Sequence, residues 1–104
     1  MFIVLTTVPN IEEAESLAQK IIEEKLAACV QVSPQIISYY VWDGELQKDS
    51  EHQLFIKTLP EKFAELEQFI KTHHSYKTPE IIAIPVEKVS EDYLNWTKNY
   101  LRQN

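Results

Sequence analysis

The stretch His73-His74-Ser75-Tyr76-Lys77-Thr78-Pro79-Glu80-Ile81 sets two imidazoles, a phenol and a carboxylate around a proline. These are side chains that ligate metals or move protons. Neutral imidazole is a good ligand for Cu(II) and Zn(II), and two such groups joined by a thiolate or a carboxylate make a credible site. Neighbouring residues on a continuing helix diverge by about 100°, so joint chelation by His73 and His74 requires the helix to end between or just after them. Tyr76 and Pro79 are placed to end it. The structural alternative is that His73 completes the apolar side of its helix while His74 caps the last carbonyls, where partial positive charge is favoured.

The elements that must position this stretch are readable from apolar spacing. Phe2 to Thr7 is a β-branched run, and Asn10 with Glu13 three residues on forms a helix start. Ala14, Leu17, Ala18, Ile21 and Ile22 continue at helical spacing to about Leu26, and Ala28 to Val32 reads as a second strand that Pro34 ends. From Ile36 to Thr58 the pattern is that of a long β-hairpin, with Asp43-Gly44 as its two-residue turn. Ile37, Tyr39 and Val41 fall on one face of its first arm, Ile36, Tyr40 and Trp42 on the other, so both faces carry large apolar groups. Burial by neighbouring subunits is expected; the alternative is that the tyrosines line a solvent face.

Pro60 opens a second helix bearing Phe63, Leu66, Phe69, Ile70 and His73 along one side, and Pro79 to Val86 reads as a proline-bracketed strand. Ser90 caps a C-terminal helix carrying Tyr93, Leu94, Trp96, Thr97, Tyr100 and Leu101. Val4-Leu5-Thr6-Thr7-Val8-Pro9 resembles Phe55-Ile56-Lys57-Thr58-Leu59-Pro60, each closing a strand and opening a helix. The order β-α-β-β-α-β is that of an α+β fold, a ferredoxin-like split βαβ antiparallel sheet with two helices on one face. The extra C-terminal helix must pack elsewhere.

Length and composition bound the function. The 104 residues make one domain, 1–104, small enough for burial against other subunits to matter. A net charge of -6 opposes binding to a phosphate backbone, so nucleic acid is not expected as a partner. No apolar run approaches the roughly 18 residues of a membrane span. The opening run Phe2-Ile3-Val4-Leu5 has neither a basic leader nor a cleavage site, so a cytoplasmic location is expected. The lone cysteine, Cys29, cannot form an internal disulfide, which fits a reducing compartment. In a strand between Ala28 and Val30 it reads first as a buried small hydrophobe. There is no Gly-x-Ser-x-Gly elbow, phosphate-cradling glycine loop or Cys-x-x-Cys, and no catalytic residue or organic cofactor is expected.

Five segments carry a resemblance to a known family. Lys25-Leu26-Ala27-Ala28-Cys29-Val30, Tyr40-x-Trp42-x-Gly44, Glu51 followed by Ile56-Lys57-Thr58, His74-x-Tyr76-x-x-Pro79-Glu80-Ile81 and Tyr93-Leu94-x-Trp96 together resemble the CutA divalent-cation tolerance family, in order and over essentially the whole chain. The resemblance implies a ferredoxin-like homotrimer of PII-like architecture, cytoplasmic residence, and an association with copper and other divalent cations. It implies a metal role for His73 and His74 and a pocket between subunits lined by Cys29, Trp42, Lys57, His74, Tyr76 and Glu80. In copper-linked members of that family the twin histidines accompany a cysteine at the position of Thr6, so this chain departs at the softest donor. Lys57 needs solvent or a carboxylate, and Glu80 is a candidate that a neighbouring subunit would have to present if the two strand ends are far apart. A PII-like scaffold that binds a small ligand between subunits is the alternative function. An enzyme using Lys57, His74, Tyr76 and Glu80 as acid-base groups is the weakest.

Overall fold

A computed structural model describes residues 1–103. Strand β1 (Phe2–Val8) runs into helix α1 (Ile11–Glu23), whose start is fixed by the Asn10 side chain accepting the Glu13 N–H at 2.8 Å. Lys25, at φ 56°, ends α1 earlier than the spacing suggested. Its N–H bonds the Ile22 carbonyl and that of Leu26 the Ile21 carbonyl, the double closure of a Schellman motif. Strand β2 (Cys29–Val32) follows, then β3 (Ile36–Trp42) and β4 (Glu45–Thr58). The β3–β4 turn takes Asp43 at φ 53° and Gly44 at φ 77°, the left-handed pair that a two-residue hairpin requires.

A 3-10 turn (Pro60–Lys62) leads into α2 (Phe63–His73), and then come β5 (Ile82–Pro85) and α3 (Glu91–Leu101), with Ser90 as the cap of α3. The sheet order is β2-β4-β1-β5, every pairing antiparallel, with β3 extending from the first half of β4. Each βαβ unit therefore skips one strand, which is the ferredoxin-like arrangement expected. β4 changes partner midway: it pairs β3 through Ile36↔Glu51 and β1 from Val8↔His52 onward.

Alternation sorts the sheet into two faces. Val4, Val8, Leu54 and Ile56 turn to the helices and close a core with Ala14, Leu17, Ile21, Leu66 and Ile70. Truncating a side chain such as Leu66 there would cost about 2–5 kcal/mol. Ile3, Leu5, Phe55 and Lys57 have the opposite parity and stand outside that core, with Lys57 reaching Tyr93 of the helix that follows β5. α3 packs apart, through Leu94, Tyr100 and Leu101 on Ala28 and Leu59, and the Tyr100 hydroxyl donates to the Ile22 carbonyl at 2.5 Å. β5 begins at Ile82, later than the Pro79 suggested by its composition. Beyond the Leu5↔Ile82 pair the edge of β1 is taken by His74, whose Nε2–H donates to the Thr7 carbonyl at 2.7 Å.

Candidate functional site

The twin histidines leave α2 in different directions. His73 is exposed, stacks on Phe69 with ring centroids 4.1 Å apart, and donates from Nδ1 to the Phe69 carbonyl at 3.0 Å. It is thus His73 that caps a last-turn carbonyl, and it does not complete the apolar side of the helix. His74 has left the helix, at φ -85° and ψ 142°. Its Nδ1 accepts the Tyr76 N–H at 3.0 Å, and its Nε2–H donates to Thr7. A carbonyl can only accept and an amide N–H only donate, so these partners fix the neutral Nε2–H tautomer. As folded, the pair offers one open ring nitrogen, His73 Nε2, and no joint chelate within the protomer. Among the described residues no three His, Cys, Asp or Glu side chains are grouped to hold a metal ion. Thr6, where the soft donor would stand, is fully buried, and its hydroxyl lacks a hydrogen-bond partner among the described residues.

The bonds of His74 tie the start of the 75–80 loop to β1, the Tyr76 hydroxyl reaches Glu51 of β4, and between loop and β3–β4 hairpin lies a cleft of about 870 Å³. Glu51 lines it at the point where β4 changes partner; it is 6% exposed and accepts the Tyr76 hydroxyl at 2.8 Å. Burial first, and then this bond to Glu51, push the Tyr76 phenol well above its ordinary range. Opposite, the Tyr40 hydroxyl donates to the Asp49 carboxylate, which together with burial and the charge of Glu51 raises that phenol also. Both phenols are held protonated, as donors facing carboxylates. Glu80 accepts from Gln53 Nε2 at 3.3 Å, and Trp42 with Tyr40 supplies aromatic wall.

Three of the residues singled out from the sequence, Trp42, Tyr76 and Glu80, therefore share this cleft. Cys29 and Lys57 do not. They face each other across β2 and β4, where Lys57 Nζ lies 5.7 Å from the Tyr93 ring centroid. Burial, and then Cys29, raise the Tyr93 phenol. Six residues of strand separate Lys57 from Glu51, about 20 Å, so Lys57 and the cleft carboxylates do not meet within a protomer. Tyr40 and Glu51 entered the sequence reading as residues that carry the family resemblance and not as site residues, and Asp49 did not enter it. The available signal was parity: Glu51 shares a face with Gln53 and Phe55 in a strand otherwise turning apolar, where a carboxylate needs a partner.

A family model described as CutA1 divalent ion tolerance protein matches residues 2–100. The chloroplastic CutA protein of Arabidopsis thaliana is 45% identical over 100 residues, which cover 96% of this chain. The chain spans only 55% of that relative's length. The divalent-cation tolerance protein CutA of Thermus thermophilus is 41% identical over 98% of this chain and 95% of its own. The solved structure of the protein described as periplasmic divalent cation tolerance protein CutA from Archaeoglobus fulgidus superposes with a TM-score of 0.94 at 39% identity, covering 98% of this chain and 100% of that one.

Proposed function

The chain belongs to the CutA1 divalent ion tolerance family, and from that premise we propose that it serves in tolerance to divalent cations as a homotrimer. The observation that carries the first part is the family match over residues 2–100. Assembly is supported by apolar surface that a monomer leaves in water. Val41 and Leu46 on one face of the hairpin are 66% and 73% exposed, Trp42 on the other is 52% exposed, and Ile82 and Ile84 are exposed on the sheet face turned away from the core. Exposed apolar side chains in this number favour burial against other copies. The trimeric order itself comes from the family resemblance, and light scattering at micromolar concentration tests it against the 12.2 kDa of one chain.

In this reading the cation, Cu(II) or Zn(II), meets the protein at His73 Nε2, and His74 joins only by surrendering a backbone hydrogen bond. With threonine at position 6, a soft donor for Cu(I) is missing from the set. Titration calorimetry of the metal-free protein beside a His73→Ala/His74→Ala double variant of verified oligomeric state tests this. Saturable binding lost in the double variant supports it, and binding that the double variant retains refutes it. The lone Cys29 supports residence in a reducing compartment such as the cytoplasm. No described helix is long and apolar enough to cross a membrane.

A second reading, a PII-like protein that binds a small ligand, is favoured by the cleft beside Glu51. A neighbouring copy would have to bring Cys29 and Lys57 to that cleft for the full pocket implied by the family resemblance to form.

A further inference from the structure

Strand β4 carries charges of opposite sign at the two ends of one face. Asp49, Glu51, Gln53, Phe55 and Lys57 share one side of the strand, so the carboxylates stand beside the hairpin and the ammonium beside β2 and Tyr93. Between the two ends the register sets apolar side chains, with Leu5 between Phe55 and Ile82, and Ile3 between Lys57 and Ile84. Among the described strand residues on this face Lys57 is the one cation.

Neither end finds its partner within the protomer. Glu51 is 6% exposed and accepts a hydrogen bond from the Tyr76 hydroxyl, while Lys57 is half-buried beside the Tyr93 ring. Among the described residues the ion pairs are Lys71–Glu67 and Arg102–Glu61, and neither involves these two groups. Lys77, the one basic residue lining the cleft, is exposed at its rim. About 20 Å of strand keeps Lys57 from Glu51, a gap that no side chain spans. A second copy removes the obstacle. Laid with its Lys57 end over the hairpin end of the first, it brings ammonium to carboxylate and covers exposed apolar groups at both ends, Trp42 beside the carboxylates and Ile84 beside the lysine. Such a contact joins two different patches head to tail, and repeated around a ring of three it leaves no end unpaired.

We propose that Lys57 of each copy enters the cleft between the β3–β4 hairpin and the 75–80 loop of the next copy and pairs there with Glu51, with Glu80 lining the same cleft. The aromatic wall of Tyr40 and Trp42 suits both the lysine stem and its ammonium. The cleft is then a socket for a neighbouring subunit, and its charge fixes which ends of two copies meet, because two acidic ends repel and so do two basic ones. This rests on the homotrimer reading above, and not on the metal reading.

The separation within one chain supplies the test. Substitutions about 20 Å apart in a protomer act independently, so coupling between positions 51 and 57 reports contact between copies. Lys57→Met, Glu51→Gln and the double variant of the full chain are compared with the parent by analytical ultracentrifugation over a dilution series. Each single variant should weaken assembly at least about tenfold, the double variant should be no weaker than the worse single one, and Lys57→Arg should keep most of the parent's assembly. Unchanged assembly in Lys57→Met, or single effects that multiply in the double variant, overturn the proposal and leave the homotrimer reading standing. A parent that remains a single chain at every concentration overturns both. If Glu51→Gln does not fold, carbodiimide coupling of the unmodified protein replaces the cycle: Lys57 should be joined to Glu51 or Glu80 of another chain, and the absence of that link overturns the proposal.

Discussion

Two threonines on the helix-facing side of the sheet should respond to the same substitution with opposite signs. Thr6 and Thr58 are both fully buried. Thr58 Oγ1 donates to the Leu26 carbonyl at 2.7 Å, tying the end of β4 to the segment after α1, whereas Thr6 Oγ1 lacks a partner among the described residues. Valine matches threonine in shape and exchanges hydroxyl for methyl. At Thr6 the exchange removes a buried unsatisfied hydroxyl, a cost of about 1–3 kcal/mol, and adds apolar contact against the Leu54 side of the core. Thr6→Val should therefore stabilise by about 1–2 kcal/mol. At Thr58 the exchange deletes a satisfied bond and leaves a buried carbonyl short of a donor, so Thr58→Val should destabilise by about 1–3 kcal/mol. Urea unfolding at fixed protomer concentration, with unchanged m-values, measures both as shifts in midpoint. A Thr6→Val protein less stable than the parent by 1 kcal/mol or more (about a fivefold change in the folding constant) would mean that the hydroxyl is bonded, and would refute the reasoning.

Tyr76→Phe tests the charge around the cleft. Because the folded phenol titrates above the ordinary 10.0, the unfolded chain ionises first as pH rises, and stability must fall above pH 10.0. The phenylalanine variant should show a shallower alkaline loss; an identical slope counts against the Tyr76–Glu51 bond. Gly44→Ala places a Cβ in open space at φ 77°, so its cost is backbone strain alone, about 1–2 kcal/mol by urea unfolding, and a neutral result would contradict the turn assignment. Trp42→Ala should weaken assembly on dilution, read by sedimentation, while leaving the secondary structure of the protomer intact; unchanged assembly would remove Trp42 from the interface.

Local chemistry was the legible part of this chain. Asn10 with Glu13, Asp43 with Gly44, and Ser90 before α3 each mark a boundary through interactions spanning three or four residues, and each stands where the pattern placed it. The repeat of Val4–Pro9 in Phe55–Pro60 exposed the two βαβ halves, and with them the sheet order. The losses are long-range. The tie from His74 to Thr7 spans 67 positions, and it occupies the edge of β1 beyond its last pair with β5. The bond from Tyr76 to Glu51 spans 25, and no periodicity announces it. α1 ended early for a different reason: Lys25 occupies a left-handed position that glycine usually marks, so the stop signal was absent. Of the residues singled out, Trp42, Tyr76 and Glu80 share the cleft, while Cys29 and Lys57 lie near the far end of β4, because neighbours in a motif need not be neighbours on a strand.

The most direct test of cation binding separates the two histidines. Cu(II) is titrated calorimetrically into the metal-free parent, His73→Ala and His74→Ala, each of verified oligomeric state. With both His74 nitrogens held by backbone and His73 Nε2 open, His73→Ala should lose binding, whereas His74→Ala should retain it at reduced stability. Binding lost in His74→Ala and retained in His73→Ala would contradict the account.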